Sequence, residues 1–306
     1  MIRQPILTKS SIRMPVGITW QDKFLNNIIN ADALTGLRTI PSGVIDMVIT
    51  SPPYWGLRHY GTNPIVCGGK EHCNHYWIQS ETGMMCQYCN AWLGELGLEP
   101  KLEMYVDHLC CIFDEVFRIL KHTGSFWLNI GDTYIGDGGP GRHRGYADPK
   151  YVEGRNTTYD EPQSYKQCVR PKSLANIPNR VAIEMTNRGW ILRNEVIWHK
   201  PNAIPNSVTD RFTTDFEKLF FFTKQKKYYF EQQFDPFKGD YIDQRAERMN
   251  TKYTPTDSIH VSAEALNRAR NIRPNPLGKN KRTVWSINVA QFPGKHFAVC
   301  KKCGTP

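Results

Sequence analysis

Ser51, Pro52, Pro53 and Tyr54 stand at the centre of the stretch TSPPYWGLRHYG, which directly follows the apolar run VIDMVI at 44–49. That run is short and carries β-branched residues, which predicts a buried strand. Neither proline can donate a backbone hydrogen bond, and each fixes its own φ while pushing the preceding residue toward extended geometry. The chain cannot continue a sheet here, so it is held rigid at the carboxyl end of a strand, where open α/β sheets bind ligands. A hydroxyl, free carbonyls and an aromatic ring on such a loop make a reaction platform. The competing reading is a proline-rich connecting turn without chemistry.

A second group of reactive side chains follows. The nine cysteines include two C-x-x-C pairs, Cys86/Cys89 and Cys300/Cys303. Upstream of the first pair, EHCNHYW offers Cys73 and His75. Cys73, His75, Cys86 and Cys89 would make a Cys3His tetrahedral zinc site, with about ten residues looped between the ligand pairs. Four protein ligands leave no open position, so the site would be structural. Cys67 is a substitute ligand, and unrelated free thiols are the competing reading. Cys300 and Cys303 need two further ligands, for which Cys168 and His296 are candidates, and they read as half of a second knuckle. Cys110 and Cys111 fall within a repeat of apolar residues (Tyr105, Leu109, Ile112, Phe113, Val116, Phe117, Leu120) at spacings of three and four, which assigns them to a helix core or flank.

The elements that must position these groups alternate. A helix is predicted over 102–121, then a strand over 125–130 (SFWLNI), then a glycine-rich loop that reads as mobile within 131–171. SLANIPNRVAIEMTNRG at 173–189 begins with the capping residue Ser173 and ends in glycine, as a helix should. WILRNEVIWHK at 190–200 and KLFFFTK at 218–224 read as strands. No internal repeat is visible, and the alternation of helices and strands argues for an α/β sheet.

Composition bounds the partners. With 306 residues, 40% of them hydrophobic, the chain can bury a sizeable core. No apolar run reaches membrane-spanning length and the N-terminus lacks the apolar stretch of a secretory signal, which implies no membrane partner and a cytoplasmic location. The formal charge is +10, which favours polyanions. From Val261 onward nine lysines and arginines face a single acid, Glu264. Arg268, Arg270, Arg273, Lys279, Lys281 and Arg282 lie among Asn, Pro and Gly, which suits phosphate contacts from an irregular loop and equally a solvated surface loop.

Several segments, in order along almost the whole chain, together resemble one family: the DNA methyltransferases that act on exocyclic amino groups and carry a Ser-Pro-Pro-Tyr motif ahead of their cofactor motif. They are NADALTGLRTIPSGVIDMVITSPPYWGLRHYG, CQYCNAWLGELGLEP, GSFWLNIGDTY, NEVIWHKPNAIPNSVTDRFTTDFEKLFFFTK and TVWSINVAQFPGKHFA. The resemblance implies an α/β, Rossmann-like methyltransferase sheet with a zinc-knuckle insertion and a basic DNA-recognition region. Its parts would be 17–66 for the catalytic motif, 67–98 for the knuckle, 99–230 for the rest of the core, 231–290 for target recognition and 291–306 for the start of a truncated cofactor half.

The resemblance also implies the chemistry. Ser51 and the Pro52 carbonyl would accept the hydrogens of an exocyclic amino group whose lone pair is conjugated with its ring. Tyr54 would stack on the base flipped out of double-stranded DNA, and Pro52 and Pro53 would hold the platform. The methyl donor would be S-adenosylmethionine, displaced in line through positioning and electrostatics. Asp32 would bond the cofactor, order the site or cap a helix, and His296 and Phe297 would approach the cofactor. Ser207, Asp210 and Arg211 match a stretch with a base-pocket or backbone role, or a local salt bridge. Serine in the first motif position implies cytosine N4 ahead of adenine N6, in a modification or restriction-modification setting, phage included.

The sequence departs from the family in one respect. KHFAV runs into CKKCGTP, and no Asp-Pro-Phe-x-Gly-Ser-Gly segment follows it. FDPFKGD at 234–240 is a weak substitute, because Asp240 and Tyr241 replace the serine and glycine. This predicts a split enzyme completed by a second polypeptide, an inactive fragment, or a catalytically silent DNA-binding zinc protein; an RNA-binding zinc protein is the remaining alternative.

Overall fold

The computed structural model describes residues 19–70, 72–135, 169–236 and 277–290. The chain divides into two compact units, Met1–Tyr229 with Ser286–Pro306, and Phe230–Trp285. In the first unit two short helices, α1 (Trp20–Phe24) and α2 (Ala33–Arg38), lead into β1 (Ile45–Thr50), the predicted strand ahead of the prolines. An insertion of four three-residue strands follows: β2 (Ile65–Cys67), β3 (Trp77–Gln79), β4 (Met84–Cys86) and β5 (Trp92–Gly94). Then come α3 (Leu102–Ile119), β6 (Leu120–Ile130), α4 (Ile177–Asn187), β7 (Ile191–His199) and β8 (Phe216–Thr223).

The main sheet is mixed. β1 runs parallel to β6, with Met47 opposite Ser125 and Thr50 opposite Leu128, while β6 and β7 are both antiparallel to β8. The order is β1–β6–β8–β7, and the chain at Ser286 forms a fifth strand beyond β7. This bears out the α/β expectation, with antiparallel pairing in its second half.

Helix α3 turns Tyr105, Leu109, Phe113 and Val116 inward at spacings of four, four and three, and packs them with Phe126, Leu128, Phe220 and Phe222 of the sheet. α4 adds Val181, Ala182 and Met185 to the same core, and Trp190 completes an aromatic cluster, 5.3 Å from Phe126 between ring centroids. On the opposite face Trp127 stacks on Phe221 at 4.4 Å. β8 is thus buried on both sides, which is why its sequence reads FFF rather than alternating. Arg188 locks the two helices together, with Asp107, Asp114 and Glu184 all within 2.8 Å. Cys110 is fully buried in this core, as its place in the apolar repeat predicts.

One boundary differs instructively. Helix α4 starts at Ile177, not Ser173, and the residue before it, Asn176, sits at φ 59°. Its first amide is capped from afar by Asp132 Oδ1, at 3.1 Å from Ile177 N. A cap supplied 45 residues upstream leaves no local signature, so sequence reasoning settled on the nearest serine. Burial pushes the Asp132 carboxyl up, and the amides of Ile177, Thr133 and Asn176 oppose that shift.

In the second unit β9 (Phe234–Asp235) pairs antiparallel with β10 (Lys279–Asn280). The opening of FDPFKGD is therefore one arm of a β ladder, and the rest of that segment, from Phe237, lies outside the described residues. Most of the glycine-rich loop, residues 136–168, lies outside the described residues, as do Cys168, Arg268, Arg270, Arg273, His296, Phe297, Cys300 and Cys303.

Candidate active site and metal cluster

The prolines end β1 as expected and aim the motif at β6 and β8. Ser51 Oγ lies 3.2 Å from both Tyr54 Oη and Asn129 Oδ1. Tyr54 Oη donates within 2.9 Å of Asn129 Oδ1 and 2.8 Å of Glu217 Oε2. Lys200 Nζ closes the far side of the Glu217 carboxylate. Burial by itself would raise the Glu217 carboxyl, but hydrogen bonds from Lys200 and Tyr54 and the charge of Lys200 outweigh it and hold the group below its usual range. Burial pushes the Tyr54 phenol well above its ordinary value, with the neighbouring Glu217 charge adding to the shift. The group is thus a neutral phenol between a serine hydroxyl and an ionised carboxylate. With its hydrogen directed to Tyr54 or Asn129, Ser51 Oγ keeps lone pairs for an incoming donor.

The ring of Tyr54 lies over Gly131, where an added Cβ would come within 2.4 Å of Cε2, so glycine is needed for the ring to lie down. The Pro53 carbonyl is not spare: it accepts from Tyr105 Oη at 2.7 Å, anchoring the loop to α3.

Beside the motif opens a cleft of about 450 Å³, lined by Asp32, Thr50, Ser51 and Pro52 on its polar side and by α2 and α3 residues such as Leu37, Leu109 and Phe113 on its apolar side. Asp32 holds one of the roles open to it in sequence, the helix cap. It caps α2, accepting from Thr35 N at 3.1 Å, and it also lines the cleft. Of the other matched residues, Asp210 pairs with Lys172 at 3.1 Å and Arg211 lies 3.7 Å over the Tyr134 ring. That gives Asp210 the local salt bridge rather than a free side chain. Lys279 lies in β10 and Lys281 and Arg282 directly follow it, with Lys281 N bonded to Gln233 O at 3.0 Å.

Sequence reasoning missed Asn129, Glu217 and Lys200. They reach the motif only through the register of β6, β8 and β7, with Trp198 opposite Glu217 and Asn129 opposite Leu219. The available signal was a glutamate at the second position of a strand rich in phenylalanine.

The cysteine prediction also takes shape. The ligand atoms of Cys73, His75, Cys86 and Cys89 all lie within 4.8 Å of one another. Cys73 Sγ and Cys86 Sγ are 3.8 Å apart and Cys89 Sγ is 3.4 Å from His75 Nδ1. Thiolates at about 2.3 Å from a tetrahedral zinc stand about 3.8 Å from each other, so the donor set fits. Burial raises the Cys86 thiol, yet His75 and the amides of Tyr88, Cys89 and Tyr76 bring it down to about 6, while burial and the neighbouring thiols lift Cys73 to about 11. Cys67 is not part of the cluster. It sits on β2 opposite Trp92, and burial raises its thiol to about 12.

The sequence is similar to those of known methyltransferases. The chain is 34% identical over 272 residues to the type II methyltransferase M.SmaI of Serratia marcescens, covering 89% of this chain and 70% of the relative. It is 31% identical over 271 residues to M.Cfr9I of Citrobacter freundii, covering 89% and 67%. It thus spans about two thirds of the length of these relatives. Among solved structures, PvuII DNA methyltransferase (cytosine-N4-specific) aligns over 80% of this chain and 63% of its own with 17% identity and a TM-score of 0.38, a likeness too slight to add to the assignment. The family described as DNA methylase, of the N6/N4 type, matches residues 45–299. With that match spanning most of the sequence and the motif loop at its start, the chain belongs to the N6/N4 DNA methylase family.

Proposed function

We propose that the protein transfers a methyl group from S-adenosylmethionine to the exocyclic amino group of a base flipped from double-stranded DNA, cytosine N4 ahead of adenine N6. The observation that carries this is the convergence of Ser51 Oγ, Tyr54 Oη, Asn129 and ionised Glu217 beside a half-apolar cleft, within a chain of this family. S-adenosylmethionine supplies an electrophilic methyl carbon on a sulfonium. Ser51 and the Pro52 carbonyl accept the amino hydrogens and favour pyramidal nitrogen, and the cleft with Asp32 holds part of the cofactor. As nitrogen bonds carbon and carbon leaves sulfur, the nitrogen becomes cationic and must lose a proton. Ser51 Oγ takes it and passes its own to Tyr54 Oη, which passes its own to Glu217 Oε2.

In this reading zinc sits at Cys73, His75, Cys86 and Cys89, and the basic segment from Arg268 to Arg282 holds phosphates. The protein works in the cytoplasm as part of a modification or restriction-modification system, phage included. The test is transfer of labelled methyl from S-adenosylmethionine to mixed-sequence duplex DNA, with products resolved as N4-methylcytosine or N6-methyladenine. Label in N4-methylcytosine is expected. Label only in N6-methyladenine would reverse the choice of base, and no label with no cofactor binding would leave a DNA-binding zinc protein.

A further inference from the structure

The metal cluster and the motif loop are joined by a short covalent path. Cys86 ends β4 and Cys89 lies in the turn that leads to β5, a hairpin closed by Cys86 N to Ala91 O at 2.7 Å. From β5 the chain runs straight into 95–99, and those residues hold the far arm of the motif loop. Glu95 accepts from Tyr60 N at 2.5 Å and from Thr62 N at 3.2 Å. Gly97 O accepts from Gly56 N at 2.7 Å and Glu99 O from Trp55 Nε1 at 2.8 Å. Gly97, at φ 94°, lies so close to the loop that an added Cβ would meet Pro53 Cβ at 3.1 Å.

The scaffold for these bonds is weak on its own. β2 to β5 are three residues each, the short end of the range for strands in globular proteins. A tetrahedral ion in such a knuckle supplies folding free energy directly. Within the reading of the cluster as a zinc site, we propose that zinc binding at Cys73, His75, Cys86 and Cys89 sets the order of residues 55–62, and through them the position of Ser51 to Tyr54. The insertion is thus a metal-dependent positioning device for the motif loop and not an independent appendage. Glu95 is its positioning residue, since it joins the end of β5 to two loop amides.

The test uses the full chain and reads metal content and amide hydrogen exchange, neither of which needs turnover. Zinc should be found at one ion per chain by elemental analysis. Chelation should then speed exchange at Gly56, Tyr60 and Thr62 by about tenfold or more, while β8 amides in the main core stay protected. Glu95→Gln should keep the zinc and still speed exchange at Tyr60 and Thr62. The absence of any bound metal overturns both the zinc reading and the coupling. One zinc per chain with loop exchange unchanged on chelation, or unchanged in Glu95→Gln, overturns the coupling alone. Methyl transfer enters neither readout, so a failure of the proposed activity remains a separate result.

Discussion

The two sheets of the first unit reach order by different means. In the main sheet β1, β6, β7 and β8 run six to eleven residues, with Phe126, Leu128, Phe220 and Phe222 almost wholly buried under α3. The insertion sheet has strands of three residues and little to bury beyond Trp92, with four metal-type donors gathered at one end. Burial of large apolar side chains scales with area and can hold a sheet without help; a sheet this small needs a cross-link of another kind. Yet it is the small sheet that grips the far arm of the motif loop, while the large one supplies the polar partners of its tip. The reactive loop is therefore held from one side by polar partners on the main sheet and from the other by an insertion that carries the candidate metal cluster.

That contrast can be broken. The largest effect should come from the main core: Phe126→Ala should cost about 3–5 kcal/mol of global stability, read by denaturant unfolding. If Cys89→Ser cost as much globally, the insertion would be part of the main cooperative unit and the contrast would fail. Next in size, Glu217→Gln should lower the single-turnover methylation rate about a hundredfold while leaving DNA affinity unchanged. It should also remove a component of acid sensitivity. Because the folded-state carboxyl is held below its ordinary value, the ionised form contributes stability above the usual carboxylate range, and this is lost as pH falls through the lowered value. An acid-unfolding curve identical to wild type would mean that Lys200 and Tyr54 do not stabilise the charge. Cys89→Ser should abolish the stabilisation by added zinc, which at a hundredfold excess over Kd amounts to about 2.7 kcal/mol and is read as a rise in melting temperature. Smallest, Asp32→Ala should cost about 1 kcal/mol through the lost cap of α2; a normal stability with weakened cofactor binding would give Asp32 to the cleft instead.

What could be read from the chain alone follows the range of the signal. Residues at spacings of three and four announced α3, and the apolar runs announced β1, β6, β7 and β8 to within a few residues, except that β6 begins at Leu120, directly after the helix. Ser51 to Tyr54 and the cysteine quartet were legible because proline and C-x-x-C spacings state their constraints locally. Asn129, Glu217 and Lys200 were not, because their meeting with Tyr54 depends on antiparallel register between strands some 75 to 163 residues apart from the motif. The same holds for the remote cap of α4. The arm contacts from Glu95 and Glu99 were hidden for a subtler reason: both residues fall in a stretch, GELGLEP, that reads as an ordinary turn until its carboxylates and carbonyls find the loop amides.

One feature of β1 reaches beyond the site. Within the described residues the strand pairs with β6 alone, and Met47 and Ile49 are 56% and 67% exposed on it. Among the described residues, a parallel strand with one unpaired edge and apolar side chains is a template for further pairing. In purification this predicts a colloidal problem rather than a folding one: reversible, concentration-dependent association of correctly folded molecules, which a charge at position 49 should relieve without altering the melting temperature, as light scattering of Ile49→Lys would reveal.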